Sequence, residues 1–161
     1  MTYGDREKSC CFTGHRPVKL DAPEEEIRAW LAEKIDEAAA DGYTTFITGC
    51  AMGVDLWAGQ AVLRKRAGNP GIRLVAASPW PGVADRWGKE WKELYKDVIR
   101  QADETVQIGE RWSRWIYSAR NTWMVDHSLR LIAYYNGTPG GTRNTVLYAE
   151  KCGLELVLWG M

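Results

Sequence analysis

Six short apolar runs, each closed by a turn and each separated from the next by a stretch of helical periodicity, constrain the fold of this chain more than any other feature. The run 8-KSCCFT-13 stops at Gly14, and 43-YTTFIT-48 repeats that form before Gly49. Both read as buried strands that run into glycine turns. Four more follow at 72-IRLVAA-77, 103-DETVQI-108, 129-LRLIAYY-135 and 154-LELVLW-159. Helical segments are expected over 24–42 and near 54–67, 85–101, 114–127 and 141–152. Strand alternating with helix, with strands apolar on both faces, implies a mainly parallel α/β sheet of about six strands covered by helices on both sides.

The first helical segment carries its own boundaries. In 24-EEEIRAWLAEKIDEAAADG-42, Ile27, Trp30, Leu31, Ile35, Ala38 and Ala39 share one face. Asp21 with Glu24 resembles a capping box, Pro23 suits the first turn and Gly42 suits the C-cap. In the third helix Trp87, Trp91, Leu94, Val98 and Ile99 recur at helical spacing. No repeat or linker interrupts the pattern, although 78-SPWPG-82 and 109-GERWS-113 are loops. With 161 residues, 45% of them hydrophobic, residues 1–161 are expected to form one domain.

Charge and cysteine usage exclude several classes. Lysine and arginine number 21 and aspartate and glutamate 21, so no global field draws the chain to nucleic acid or to anionic lipid. A nucleic-acid partner is therefore not expected. The segment 1-MTYGDREKS-9 carries charges where a secretory signal needs an apolar core, and no apolar run approaches the ~20 residues of a membrane span. The expectation is a cytoplasmic protein with no membrane partner. Cys10, Cys11, Cys50 and Cys152 form no CxxC pair and have no histidine at metal-ligand spacing, which predicts reduced and mostly buried thiols and no metal site.

In an open α/β sheet, ligands bind beyond the carboxyl ends of the strands, where helix N-termini present free amides and the positive end of their dipoles. Glycines recur at that edge in 13-TGHRP-17, 48-TGCAMGVD-55 and 136-NGTPGGT-142. Glycine permits positive φ and lets a phosphate approach backbone amides without an intervening Cβ. Each turn alone reads as an ordinary strand-to-helix connection. Three on one expected edge point to a site that holds an anion. None of them is GxGxxG or GxxxxGK[ST], so neither the dinucleotide fingerprint nor the Walker loop is present.

The polar residues beside these turns carry two readings each. Arg16 stands where a guanidinium reaches a phosphate, or is a surface arginine. His15 donates to the same ligand or caps the loop. Asp55 accepts from ribose hydroxyls, or favours the first turn of its helix for dipole reasons alone. In 120-RNTWMVDHS-128, Arg120, Asn121, Met124 and His127 share a face that points to the ligand edge or to solvent. No serine or cysteine beside either histidine makes a recognisable nucleophile motif. Trp80 lies on an expected ligand-edge loop, where it stacks on a base or packs in the core.

Taken together, 12-FTGHRP-17, 48-TGCAMGVDLWAGQA-61, 120-RNTWMVDHS-128 and 131-LIAYYNGTPGGTRNTVLYA-149 resemble the SLOG superfamily, in particular its YpsA-like branch, nearly end to end. The resemblance implies a Rossmann-like three-layer α/β/α fold whose pocket takes a nucleotide or nucleotide-derived ligand such as ADP-ribose or a nucleoside phosphate. It places the candidate ligand-binding residues at Thr13, Gly14, His15 and Arg16, then Gly49, Gly53 and Asp55, then Arg120 and Asn121, and last Asn136, Gly137, Gly140, Gly141 and Thr142.

The same superfamily includes the lonely-guy type phosphoribohydrolases, which cleave the N-glycosidic bond of nucleoside monophosphates with a PGGxGTxxE motif. Aligning Pro139, Gly140 and Gly141 with that motif puts Arg143 and Asn144 where it has Gly and Thr, and Leu147 where it has the catalytic Glu. A leucine carries no proton to an oxocarbenium-like centre. Glu150 lies one turn further on. The DNA-processing protein A group, a third relative, binds single-stranded DNA through basic surfaces; the neutral composition gives that reading little support, although a local basic patch stays open. The expected function is therefore a non-catalytic or weakly catalytic bacterial sensor or regulatory protein that binds a nucleotide-like ligand and requires no cofactor. The alternatives are a nucleotide N-glycosidase and a DNA-binding accessory protein. Oligomeric state stays open, a homo-oligomer included.

Overall fold

A computed structural model describes residues 5–161 of the chain. Six strands form one sheet: β1 (Ser9–Gly14), β2 (Thr45–Thr48), β3 (Arg73–Ser78), β4 (Glu104–Gln107), β5 (Arg130–Tyr134) and β6 (Glu155–Leu158). Five helices connect them: α1 (Glu24–Ala40), α2 (Val54–Gly68), α3 (Lys89–Gln101), α4 (Ile116–Asp126) and α5 (Gly141–Lys151). The strand order is β4-β3-β2-β1-β5-β6 and every pairing is parallel. Cys11 stands opposite Ile47 on one side and Leu131 on the other, which sets β1 at the centre. Among the described residues no helix is long and apolar enough to cross a membrane.

Alternation along each strand divides the core in two. Cys10, Phe12, Phe46, Leu74, Ile132 and Tyr134 face a layer built by Ile27, Leu31 and Ile35 of α1, Leu56 and Val62 of α2 and Val98 of α3. Their neighbours Cys11, Ile47, Val75, Leu131 and Ala133 face Met124 and Val125 of α4 and Val146 and Ala149 of α5. The central strands are apolar on both faces because helices cover both, as parallel connectivity requires. The aromatic face of α3 packs on α2 through Trp91 and Trp57, whose ring centroids lie 5.8 Å apart.

Two local expectations are corrected. Asp21 and Glu24 do not make a capping box: Pro23 is the N-cap of α1 and supplies no side-chain bond. Asp21 instead accepts the hydroxyl of Tyr134, a contact across 113 residues of chain that no local reading weighs. The outer strands are also less buried than a strand covered on both faces, because β4 and β6 each have a neighbour on one side only. Gly42, by contrast, takes φ +102° directly after the last turn of α1 and ends it as expected.

Candidate functional site

The strand order reverses at β1, whose neighbours β2 and β5 carry the chain off to opposite sides of the sheet. Such a switch point opens a crevice at the carboxyl ends of the strands. A cleft of about 310 Å³ lies there. The turn after β1, the turn after β2 and the start of α5 line it together with the first half of α4.

The turn after β1 contributes Thr13, Gly14, His15 and Arg16 to the wall. Gly14 is required by packing, since a Cβ there would sit 2.5 Å from Cβ of Val54 at the start of α2. His15 is buried and works as a brace. Its Nε2 accepts the backbone N–H of Asn136 at 3.1 Å, which fixes the proton on Nδ1. Burial, with Lys19 adding to it, lowers its pKa below the ordinary value and keeps the ring neutral near pH 7.

The turn after β2 is held under strain. Cys50 takes φ +62°, a left-handed conformation that side chains other than glycine rarely adopt. Gly49 beside it is needed for a different reason: a Cβ would lie 2.8 Å from Oδ2 of Asp55 and 2.9 Å from Cδ of Arg120. The missing side chain brings these two oppositely charged residues together. Arg120 donates from Nη1 to the Gly49 carbonyl at 2.8 Å and from Nε to Oδ1 of Asn121 at 2.9 Å. Asp55 accepts one bond at Oδ2, from the N–H of Ala51 at 3.3 Å, and its Oδ1 is buried with no partner among the described residues. Burial pushes the Asp55 carboxyl up to about 6, against the opposing influence of Arg120, the Ala51 amide and Arg16. Burial also raises the Cys50 thiol to about 12, so it is no nucleophile at neutral pH.

The third turn divides its work. Asn136 ties the loop down: its Nδ2 donates to the Lys19 carbonyl and its Oδ1 accepts from the backbone and the hydroxyl of Thr138. Gly137 and Gly140 take φ +90° and +142°, and Lys19 Nζ donates to the Pro139 carbonyl at 3.0 Å. Gly140 is the N-cap of α5 and Gly141 its first residue. A Cβ on Gly141 would meet nothing within 4 Å, so the amide end of α5 stands open on the cleft wall beside Thr142.

Of the expected ligand-binding residues, the cleft wall brings together Thr13, Gly14, His15, Arg16, Asp55, Arg120, Asn121, Gly141 and Thr142. Gly49, Gly53, Asn136, Gly137 and Gly140 shape the turns behind it; Gly53, at φ +92°, caps α2 against Pro17 and the His15 carbonyl. The face proposed for α4 splits. Arg120 and Asn121 reach the cleft, Met124 enters the core, and His127 stacks on Trp123 at 4.1 Å. Trp80 stands behind the wall, where its Nε1 donates to the Tyr117 hydroxyl at 3.3 Å.

Four wall residues escaped the sequence reading: Val18, Lys19, Ala51 and Tyr117. Tyr117 lies one turn before Arg120, so the helical spacing held the signal. Its ring has the Arg16 and Arg120 guanidinium carbons 5.9 and 5.7 Å from its centroid. A second recess of about 240 Å³ shares Tyr117, Asn121 and Gly141 with the first and continues along Asn144, Thr145 and Tyr148. Leu147 is 51% exposed, and neither it nor Glu150 lines either recess.

Among solved structures, DNA processing protein A from Helicobacter pylori is similar, with a TM-score of 0.65 at 16% identity over 93% of this chain. Its counterpart from Streptococcus pneumoniae gives 0.53 at 15% over 94%. This chain spans 64% and 58% of those two proteins, and the likeness establishes the shared fold. In sequence, the uncharacterized SPbeta prophage-derived protein YoqJ of Bacillus subtilis is 32% identical over 71% of this chain and 74% of its own length. A UPF0398 protein of Bacillus cereus is 28% identical over 91% and 84%. The profile of the YspA SLOG family matches residues 10–152, which take in all three glycine turns and the whole cleft wall. With its Rossmann-like sheet and a cleft at the switch point, the chain belongs to the YspA SLOG family.

Proposed function

We propose that the cleft binds a nucleotide or nucleotide-derived ligand, such as a nucleoside monophosphate or ADP-ribose, and that the protein is a sensor or regulator with no turnover of its own. The observation that carries this reading is the open N-terminus of α5 at Gly141, on the same wall as Arg16, Lys19 and Arg120. Free amides, a helix dipole and guanidinium groups together favour a phosphate. The second recess gives room for a base beyond it, with Tyr117 and Tyr148 as aromatic surfaces.

Only a ligand that binds the folded state raises its melting temperature, by about 2.7 kcal/mol at a hundredfold excess over Kd. For a domain of this size that is roughly 5–10 °C. AMP and ADP-ribose are expected to produce such a shift in scanning fluorimetry, and adenosine a much smaller one. Equal shifts for nucleoside and nucleotide would remove the phosphate from the site. Gly141→Val is expected to abolish the shift and leave the fold intact, because its side chain enters open space on the wall.

A second reading draws on the likeness to Helicobacter pylori DNA processing protein A, described as binding single-stranded DNA. Nucleic-acid binding of that kind weakens steeply with salt. DNA affinity with such a slope, lost in Arg16→Ala, would favour this reading over a free nucleotide.

A further inference from the structure

Three cations, Arg16, Lys19 and Arg120, stand on the wall of the first recess, and Asp55 is the one carboxylate among them. It is 4% exposed, and one of its two oxygens is unsatisfied: Oδ2 takes the Ala51 amide and Oδ1 takes nothing among the described residues. A buried carboxylate left in that state is costly unless something donates to it. Arg120 does not supply that donor in this structure: its Nη1 and Nε donate to the Gly49 carbonyl and to Asn121, and Oδ1 of Asp55 has no partner among the described residues. Asp55 lines the cleft wall, and the Cβ–Cγ torsion of an aspartate is intrinsically broad, which allows its carboxylate to present an oxygen to a donor there.

From this geometry we propose that Asp55 reads the vicinal 2′- and 3′-hydroxyls of a ribose, so that the cleft selects ribonucleotides over deoxyribonucleotides. The inference rests on the nucleotide reading given above. A carboxylate repels the phosphate, which confines the anion to the Gly141 end of the wall and turns the ligand's hydroxyl-bearing part toward Asp55. The recesses agree with that orientation. Asp55 shares the first recess with the start of α5, so the group next to the phosphate, the sugar, falls within its reach. The second recess contains no carboxylate among its lining residues and continues past Tyr117 to Tyr148, where a base fits. Two adjacent hydroxyls supply two donors to a carboxylate with three unused lone-pair sites.

Calorimetric titration with AMP, 2′-deoxy-AMP and 2′,3′-dideoxy-AMP at constant pH and salt tests this directly. Each hydroxyl lost is expected to weaken binding roughly 10-fold or more, as for a hydrogen bond to a charged group. In Asp55→Asn the three ligands are expected to bind within about threefold of one another, because the amide presents a single acceptor and no charge. Equal affinities for all three in the unmodified protein would overturn the role of Asp55 and leave the phosphate site standing. A preference for ribose that survives Asp55→Asn would assign the reading to another residue and equally overturn it. Failure of all three to bind would overturn the nucleotide reading itself, and this inference with it. The unmodified protein carries the first comparison alone, so the outcome does not depend on how the variant folds.

Discussion

At the scale of single residues the cleft is a place where the molecule gives up stability. Burial raises the Asp55 carboxyl from its ordinary 3.8 to about 6. The folded chain therefore holds this proton more tightly than the unfolded chain between about pH 4 and 6. Its contribution to stability is full below about pH 4 and is lost as pH rises through 6. A difference of about two pKa units corresponds to roughly 3 kcal/mol. Asp55→Asn is accordingly expected to be more stable than the natural protein at pH 7, by up to about that amount, with the gap closing toward pH 4. Urea unfolding at the two pH values measures it. A variant less stable at pH 7 would show that Arg120 stabilises the charge by more than burial costs. Cys50 adds to the same picture, because its left-handed backbone is strain kept within a turn that forms the site. Gly49 and Gly14 were legible in the sequence as turn glycines. Their reasons were not: one makes room for Asp55 and Arg120, the other for Val54, and both Arg120 and Val54 come from elsewhere in the chain.

At the scale of elements, orientation about a helix axis decides what α5 can do. Its cleft face carries Gly141, Asn144, Thr145 and Tyr148, at the i, i+3, i+4, i+7 spacing of one helical stripe. Leu147 and Glu150 lie off that stripe and line neither recess, and both are exposed. A general acid or base has to come within hydrogen-bond reach of the bond it cleaves. AMP incubated with the protein is therefore expected to remain intact by chromatography over a period in which it protects the fold thermally. Adenine released well above the no-protein rate would overturn this. Loss of that release in Glu150→Gln would point to a moved α5, and loss in Asp55→Asn to the carboxyl already on the wall. The departures from the phosphoribohydrolase motif at Arg143, Asn144 and Leu147 were visible in the sequence; that the last of these faces solvent was not.

At the scale of the whole molecule, one parallel sheet with unequal strands sets both the site and the order of opening. β1, β2, β3 and β5 are paired on both sides and covered above and below, whereas β4 and β6 are half paired and part exposed. Amide hydrogen exchange is expected to be slowest in β1, β2 and β5 and faster in β4 and β6. Equal protection of β4 and β1 would mean that the sheet opens as one unit. The alternation of apolar runs with helical periods determined nearly all of this architecture: six strands, five helices, their order and the carboxyl edge on which the turns lie. Periodicity is a local property and each element declares its own. The strand order, the switch point at β1 and the packing of Arg120 beside Asp55 at Gly49 arise between segments far apart in the chain. So do the bracing of the 136–138 loop by His15 and the aromatic wall at Tyr117. Local sequence lists the residues able to bind a phosphate or a hydroxyl. Which of them meet in one cleft, and which carboxylate is left there half satisfied, is decided by packing, because burial and proximity exist only once the layers have closed.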